Sequence, residues 1–110
     1  MRAREAPSIA GSIAGVLNNL GRCHDNMCQY ARMRPLFEQA RAAAAAAGDT
    51  KEVGQVCENH GACHYNMGQH ARALPLFEQA RAAFAAAGDS AGAARVSGYL
   101  ADCAARAGRR

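Results

Sequence analysis

Apolar and small side chains recur at helical spacing along most of the chain. In the clearest stretch the inward positions follow the spacing i, i+1, i+4 and i+8, which places them on one side of a helix. These positions hold Val56, Cys57, His60 and His64. The same periodicity predicts five helices, at about residues 8–27, 31–47, 50–67, 71–87 and 90–107.

Glycine and aspartate mark the turns between these helices. Gly-Asp pairs stand at 48–49 and 88–89, directly after alanine-rich stretches. Glycine can adopt the left-handed conformation that ends a helix, and aspartate can cap the next one. Glu52 follows the first pair by three residues and predicts a capping box. Pro35 and Pro75 are expected early in their helices, where a missing N–H costs little.

A unit of forty residues is repeated. Residues 21–49 and 61–89 share 22 identities in 29 positions, so the similarity reflects a duplicated unit. A fixed period in a helix-rich chain indicates a helical array. The predicted organisation is a single domain over 1–110. It has repeat one at about 8–48, repeat two at 49–88 and a C-terminal capping half-repeat at 89–107.

The order of small and large residues in both units resembles the tetratricopeptide repeat. The first unit carries it at Leu17, Leu20, Gly21, Tyr30, Phe37 and Ala40, and the second at Gly61, Gly68, Ala73, Phe77 and Ala80. The forty-residue length and the phrase "LNNLG" at 17–21 resemble the longer subclass that includes kinesin light chain and cell-polarity adaptors. The resemblance implies an all-α fold. Its antiparallel helix hairpins would stack as a short right-handed α-solenoid of about five helices.

Paired asparagines predict a binding surface. Asn19 matches Asn59 and Asn26 matches Asn66, and each pair within one helix is seven residues apart. In tetratricopeptide arrays this side of the first helix lines a concave groove, where amides can pair with a peptide backbone. The resemblance therefore implies partner binding by Asn19, Arg22, Asn26, Asn59, Tyr65, Asn66 and Arg106. The alternative is that these are solvated polar residues.

Cys57, His60 and His64 share one predicted helix face, in a geometry that could hold zinc. The alternative is that they fill the inward stripe, with the histidines hydrogen-bonded. No fourth ligand is evident, and neither of the other repeats carries all three residues, since the first has Leu17, Leu20 and His24 at these positions and the third has Ser97, Leu100 and Ala104. We therefore expect no metal and no cofactor. A metal- or thiol-responsive helical protein is kept as a second hypothesis.

Cys23, Cys63 and Cys103 recur in register, which predicts that each acts as a small apolar residue at a helix contact. The chain has five cysteines, no convincing export signal and no segment long enough to span a membrane. We expect a cytoplasmic protein with reduced thiols. The formal net charge is only +4 and the arginines are scattered, so no nucleic-acid partner is expected.

The sequence contains no phosphate-binding glycine loop and no nucleophile set beside a base and an orienting group. We therefore expect a binding protein and not an enzyme. The predicted function is a protein-interaction module that takes a peptide or a helix in its groove, in a scaffold or adaptor role. A third hypothesis is an assembly element that associates weakly with itself.

Overall fold

A computed structural model describes residues 27–108, and this part of the chain is all-helical, with no strand. Its four helices are α1 (Met27–Ala46), α2 (Thr50–Asn66), α3 (His70–Ala86) and α4 (Ser90–Gly108). Each packs on the next along the chain. The all-α prediction is confirmed, whereas the helix predicted at 8–27 lies outside the described residues. None of the four helices combines the length and the apolar character needed to cross a membrane.

Glycine ends each of the first three helices. Gly48, Gly68 and Gly88 have φ of 73°, 76° and 78°. In the last of these turns the Gly88 N–H donates to the Ala85 carbonyl at 3.1 Å, and the next N–H donates to the Phe84 carbonyl at 2.8 Å. The other two turns have the same two bonds, which define a Schellman motif. Because these glycines are twenty residues apart, α2 and α3, which lie between them, have the same length of 17 residues.

Aspartate follows two of these three turns, and in both cases it caps the next helix. Asp49 accepts a hydrogen bond from the Glu52 N–H at 3.1 Å, and Asp89 accepts one from the Gly92 N–H at 3.0 Å. The predicted capping box is wrong, however, because the Asp49 N–H already donates to the carbonyl of Ala44. The Glu52 Oε2 atom is buried without a hydrogen-bond partner among the described residues. Burial, and then the nearby Asp49, raise the pKa of Glu52.

The described residues of α1 run from Met27, before the predicted start at about 31, so Pro35 lies well inside the helix and not in its first turn. Proline has no N–H to donate to the carbonyl four residues back, so α1 lacks that bond of its ladder. The second unit has Gly68 before its second helix, but the first unit has Cys28 at the matching position. Cys28 lies within α1, whereas Gly68 lies in the turn before α3.

Two phenylalanines are pressed against glycine backbone at the helix contacts. A Cβ atom built on Gly61 would lie 3.0 Å from the Phe77 ring, and one on Gly54 would lie 3.0 Å from the Phe84 ring. The order of these pairs shows that α2 and α3 run antiparallel. The Phe84 ring also lies against Gly92, 2.8 Å from a built Cβ, so it fills the space between α2 and α4.

The buried faces of α2 and α4 repeat in register. Val56 and Cys63 of α2 are buried in one cluster with Met33, Phe37 and Ala40 of α1. The α4 residues forty positions later, Val96 and Cys103, are buried in the cluster built with α3. The same positions are thus used for the contact with the preceding helix in both units.

We expect opposite effects from two glycine-to-alanine substitutions. Gly88→Ala lowers the free energy of unfolding by about 1 kcal/mol, because alanine is strained at φ 78°. Gly98→Ala raises it by about 0.5–1 kcal/mol, because Gly98 lies inside α4 and a Cβ there meets no atom within 4 Å. Urea unfolding followed by circular dichroism measures both. Equal effects would show that the left-handed turn does not depend on glycine.

Candidate functional site

A shallow groove of about 370 Å³ lies between α2 and α4. It is lined by Tyr65, Arg95, Gly98, Tyr99 and Asp102. These two helices are the first helix of the second unit and its counterpart forty residues later. Of the predicted binding residues, Tyr65 is among the five that line the groove.

Aromatic rings form one part of the groove. The Tyr99 ring stacks on Phe77, with centroids 4.9 Å apart and planes 5° from parallel. The Tyr65 ring meets Tyr99 at 75°, with centroids 5.6 Å apart. His70 packs edge-on against Tyr65 at 5.1 Å. Because Phe77 is fully buried, this stack fixes the two tyrosines to the core.

Asp102 connects α4 to the end of α2. Its carboxylate accepts a hydrogen bond from the Tyr65 hydroxyl and another, at 2.9 Å, from Nε of Arg106. The bond from Tyr65, followed by the bond from Arg106, lowers the pKa of Asp102. The same bond raises the pKa of the Tyr65 hydroxyl. Asp102 is therefore an anion at neutral pH, and it holds the tyrosine in place.

Arg95 makes a second connection between the two helices. Its Nε and Nη2 atoms donate to the two carboxylate oxygens of Glu58 at 2.8 and 2.9 Å. The guanidinium carbon lies 5.6 Å from the centroid of the Phe84 ring, which is within cation–π range. The hydrogen bonds to Glu58 raise the pKa of Arg95. A bidentate contact fixes the plane of the guanidinium as well as its position.

The structure brings together only part of the predicted binding set. Tyr65 lines the groove, and Arg106 joins it through Asp102. Asn59 is half-buried and Asn66 is exposed, and both lie on α2 outside the five lining residues. Asn19, Arg22 and Asn26 lie outside the described residues.

Sequence reasoning missed Tyr99 as a groove residue. Tyr99 stands forty residues after Asn59, and Arg106 stands forty residues after Asn66. Extending the asparagine positions by one more period would have found Tyr99. The prediction considered only asparagines, so it did not include position 99, where tyrosine replaces the asparagine.

Cys57 and His60, two of the three candidate zinc ligands, contact different helices. The Cys57 thiol lies 3.8 Å from Oε1 of Gln79 on α3, whereas the His60 ring stacks on Phe37 of α1 at 4.6 Å. Residues 27–108 contain no group of three or more His, Cys, Asp or Glu side chains that could hold a metal ion. The predicted common face of Cys57, His60 and His64 is therefore divided between two helix contacts.

Both histidines have hydrogen-bond partners, as the packing alternative predicted. Nε2 of His60 lies 2.8 Å from the Tyr30 hydroxyl, and Nδ1 of His64 lies 2.8 Å from Oε1 of Gln69. The His64 ring also packs on Tyr30 at 4.5 Å. Burial, followed by the neighbouring His64, lowers the pKa of His60 to about 4. The imidazole of His60 is therefore neutral in the folded protein at physiological pH.

Cys63 and Cys103 are buried, which confirms the packing role predicted for them, and Cys23 lies outside the described residues. Burial raises the pKa of the Cys63 thiol to about 11 and also raises the pKa values of Cys57 and Cys103. The thiolate is the reactive form of cysteine. These three thiols are therefore protonated and poorly reactive at neutral pH.

The stability of the protein should fall in mild acid because of His60. Its folded-state pKa of about 4 lies below the unfolded value of 6.5, so the unfolded chain binds more protons between these pH values. The free energy of unfolding should therefore drop by up to about 3 kcal/mol as the pH falls from 7 to 4. Thermal melts across this range measure the loss.

The matched variant is His60→Leu, because leucine occupies the equivalent positions 20 and 100. We expect its melting temperature to depend less on pH than that of the natural protein. Equal slopes in the two proteins would contradict the assignment, since the remaining acid dependence would then come from other groups.

Zinc should not stabilise the protein, because Cys57 and His60 contact different helices. We expect the melting temperature to change by less than about 1 °C with excess zinc or with a chelator. Cys57→Ala serves as the control. Stabilisation by zinc that disappears in this variant would restore the metal hypothesis.

No protein-family model, curated protein or solved structure matched the chain. The resemblance to tetratricopeptide repeats therefore stays a prediction from the motif residues. What can be said of function depends on the groove and on the repeat register, both of which are properties of this chain alone.

Proposed function

We propose that this protein is a protein-interaction module whose α2–α4 groove binds a peptide or a helix of a partner protein, in a scaffold or adaptor role. The observation that carries the proposal is that the rings of Tyr65 and Tyr99 meet at 75° beside Arg95, which two hydrogen bonds to Glu58 hold in place. Tyrosine and arginine are enriched among the residues that contribute most to binding at protein interfaces.

The groove is held in shape before any partner arrives. Two hydrogen-bonded contacts, Tyr65 to Asp102 and Arg95 to Glu58, join α2 to α4. The Tyr99 ring is held on Phe77. Side chains that are already ordered lose less conformational entropy when they bind, so a small groove of this kind can still bind specifically.

The repeat register supports the stacked arrangement of a short right-handed α-solenoid. The buried residues of α4 stand forty positions after those of α2, at Val96 for Val56 and at Cys103 for Cys63. A repeat array stacks each unit on the last by using the same face each time. In such an array the groove lies between the first helices of successive units, where α2 and α4 are found.

The carboxylates of Asp102 and Glu58 suit a binding surface better than a catalytic site. The low pKa of Asp102 makes it a weak proton acceptor, and both carboxylate oxygens of Glu58 are engaged by Arg95. Asp102 therefore lacks the pKa near the working pH that general acid–base chemistry requires. With two anchors in a shallow groove, we expect dissociation constants of about 1–100 µM.

Gly98 offers a direct test, because it lies in the groove and a Cβ there meets no atom within 4 Å. Gly98→Gln places a long neutral side chain in the groove without removing any existing contact. We expect peptides selected from a random display library on the natural protein to bind this variant at least about tenfold more weakly. Fluorescence anisotropy of the synthesised peptides measures the affinities.

Gly98→Ala is the matched control. It gains helix propensity as Gly98→Gln does, but adds only one methyl group to the groove. We expect it to bind the selected peptides within about twofold of the natural protein. If every selected peptide binds the glutamine variant as tightly as the alanine variant, the groove is not the binding surface.

A further inference from the structure

We propose that the α2–α4 groove recognises a proline-rich segment in the extended polyproline II conformation. The proposal rests on the groove being a peptide-binding surface and names the class of peptide. Three features carry it, namely the pairing of every charge that lines the groove, the free N–H groups of Arg95, and the two tyrosine rings that meet at 75°.

The charged side chains that line the groove already have partners of opposite charge. Arg95 is paired with Glu58 at 2.8 Å, and Asp102 is paired with Arg106 at 2.9 Å. A charged ligand side chain of either sign has to compete with one of these pairs. A neutral ligand leaves both intact, so the electrostatics favour a segment without charge at the contact positions.

Arg95 keeps N–H donors that a ligand could use. Both oxygens of Glu58 accept from Arg95, and Oδ2 of Asp102 accepts from Tyr65 and Arg106. A guanidinium has five N–H groups, and Arg95 uses one on Nε and one on Nη2 for Glu58, which leaves three. The groove therefore suits a ligand that offers carbonyl oxygens to Arg95.

A proline-rich chain offers such carbonyl oxygens. Each proline keeps its carbonyl and lacks an N–H, and the polyproline II conformation has no internal hydrogen bonds that would occupy the carbonyls. A helical ligand is less suitable here, because its carbonyls already accept bonds within the helix. The free N–H groups of Arg95 thus favour an extended ligand with open carbonyls over a helical one.

The rings of Tyr65 and Tyr99 provide the apolar contact. Proline-rich segments dock in grooves lined by aromatic side chains. Here Tyr65 and Tyr99 stand at 75° with their centroids 5.6 Å apart, and Phe77 supports Tyr99 from below. A proline ring can pack against both tyrosines in the angle between them.

The spacing along α4 fits one stretch of this conformation. Arg95 and Tyr99 are four residues apart, which is about 6 Å along a helix. Polyproline II rises about 3.1 Å per residue, so a proline at Tyr99 places the carbonyl two residues away level with Arg95. Gly98 lies between them without a side chain, which leaves room for the ligand backbone.

The test uses fluorescein-labelled nonaproline and follows its binding by fluorescence anisotropy. We expect nonaproline to bind at least about tenfold more tightly than length-matched glycine–serine or glutamate peptides. Gly98→Gln should bind nonaproline at least about tenfold more weakly than Gly98→Ala, because glutamine fills the groove where alanine adds one methyl group. Tyr99→Phe should keep most of the affinity and Tyr99→Leu should lose it, since the contact is made by the ring face.

The library experiment separates this proposal from the proposed function. Selected peptides that bind through the groove but lack proline, together with no binding of nonaproline, would overturn the proline preference and leave peptide binding standing. Nonaproline that binds Gly98→Gln as tightly as the natural protein would also overturn it. If neither the library peptides nor nonaproline respond to Gly98→Gln, both proposals fail.

Discussion

The close contact of two phenylalanine rings with glycine backbone determines the arrangement of helices α2, α3 and α4. Phe77 lies on Gly61, and Phe84 lies between Gly54 and Gly92. The groove depends on the same two rings, because Tyr99 stacks on Phe77 and the Arg95 guanidinium lies over Phe84. A change at either phenylalanine therefore alters the core and the groove together.

Helix α2 has a different chemistry on each side. Toward α1 it presents a neutral histidine stacked on Phe37 and held by the Tyr30 hydroxyl, and this contact is sensitive to acid. Toward α4 it presents Glu58 and Tyr65, whose partners are an arginine and an aspartate. The first contact is a packed interior and the second is an exposed, hydrogen-bonded rim. The histidines that first suggested a metal belong to the interior.

The sequence predicted those features that depend on local chemistry. Gly48 and Gly88 end helices because glycine tolerates positive φ, and Asp49 caps the next helix as expected. The prediction placed residues 28–30 outside this helix, whereas they are helical in α1, and Cys28 stands where the second unit has Gly68. Contacts such as Arg95 with Glu58 join residues 37 positions apart, and their geometry depends on how α4 packs after the chain has turned twice. Local patterns do not contain that information.

The equal spacing of the three glycine turns has a consequence for how such a chain can evolve. Removing or inserting a segment of forty residues keeps every remaining helix in the same direction and gives each its usual neighbour. Removing or inserting twenty residues would instead change the number of helices by one, so each helix after the change would run in the opposite direction. Recombination between the two similar copies shifts the chain by whole units, so its length can change while each remaining helix keeps its direction.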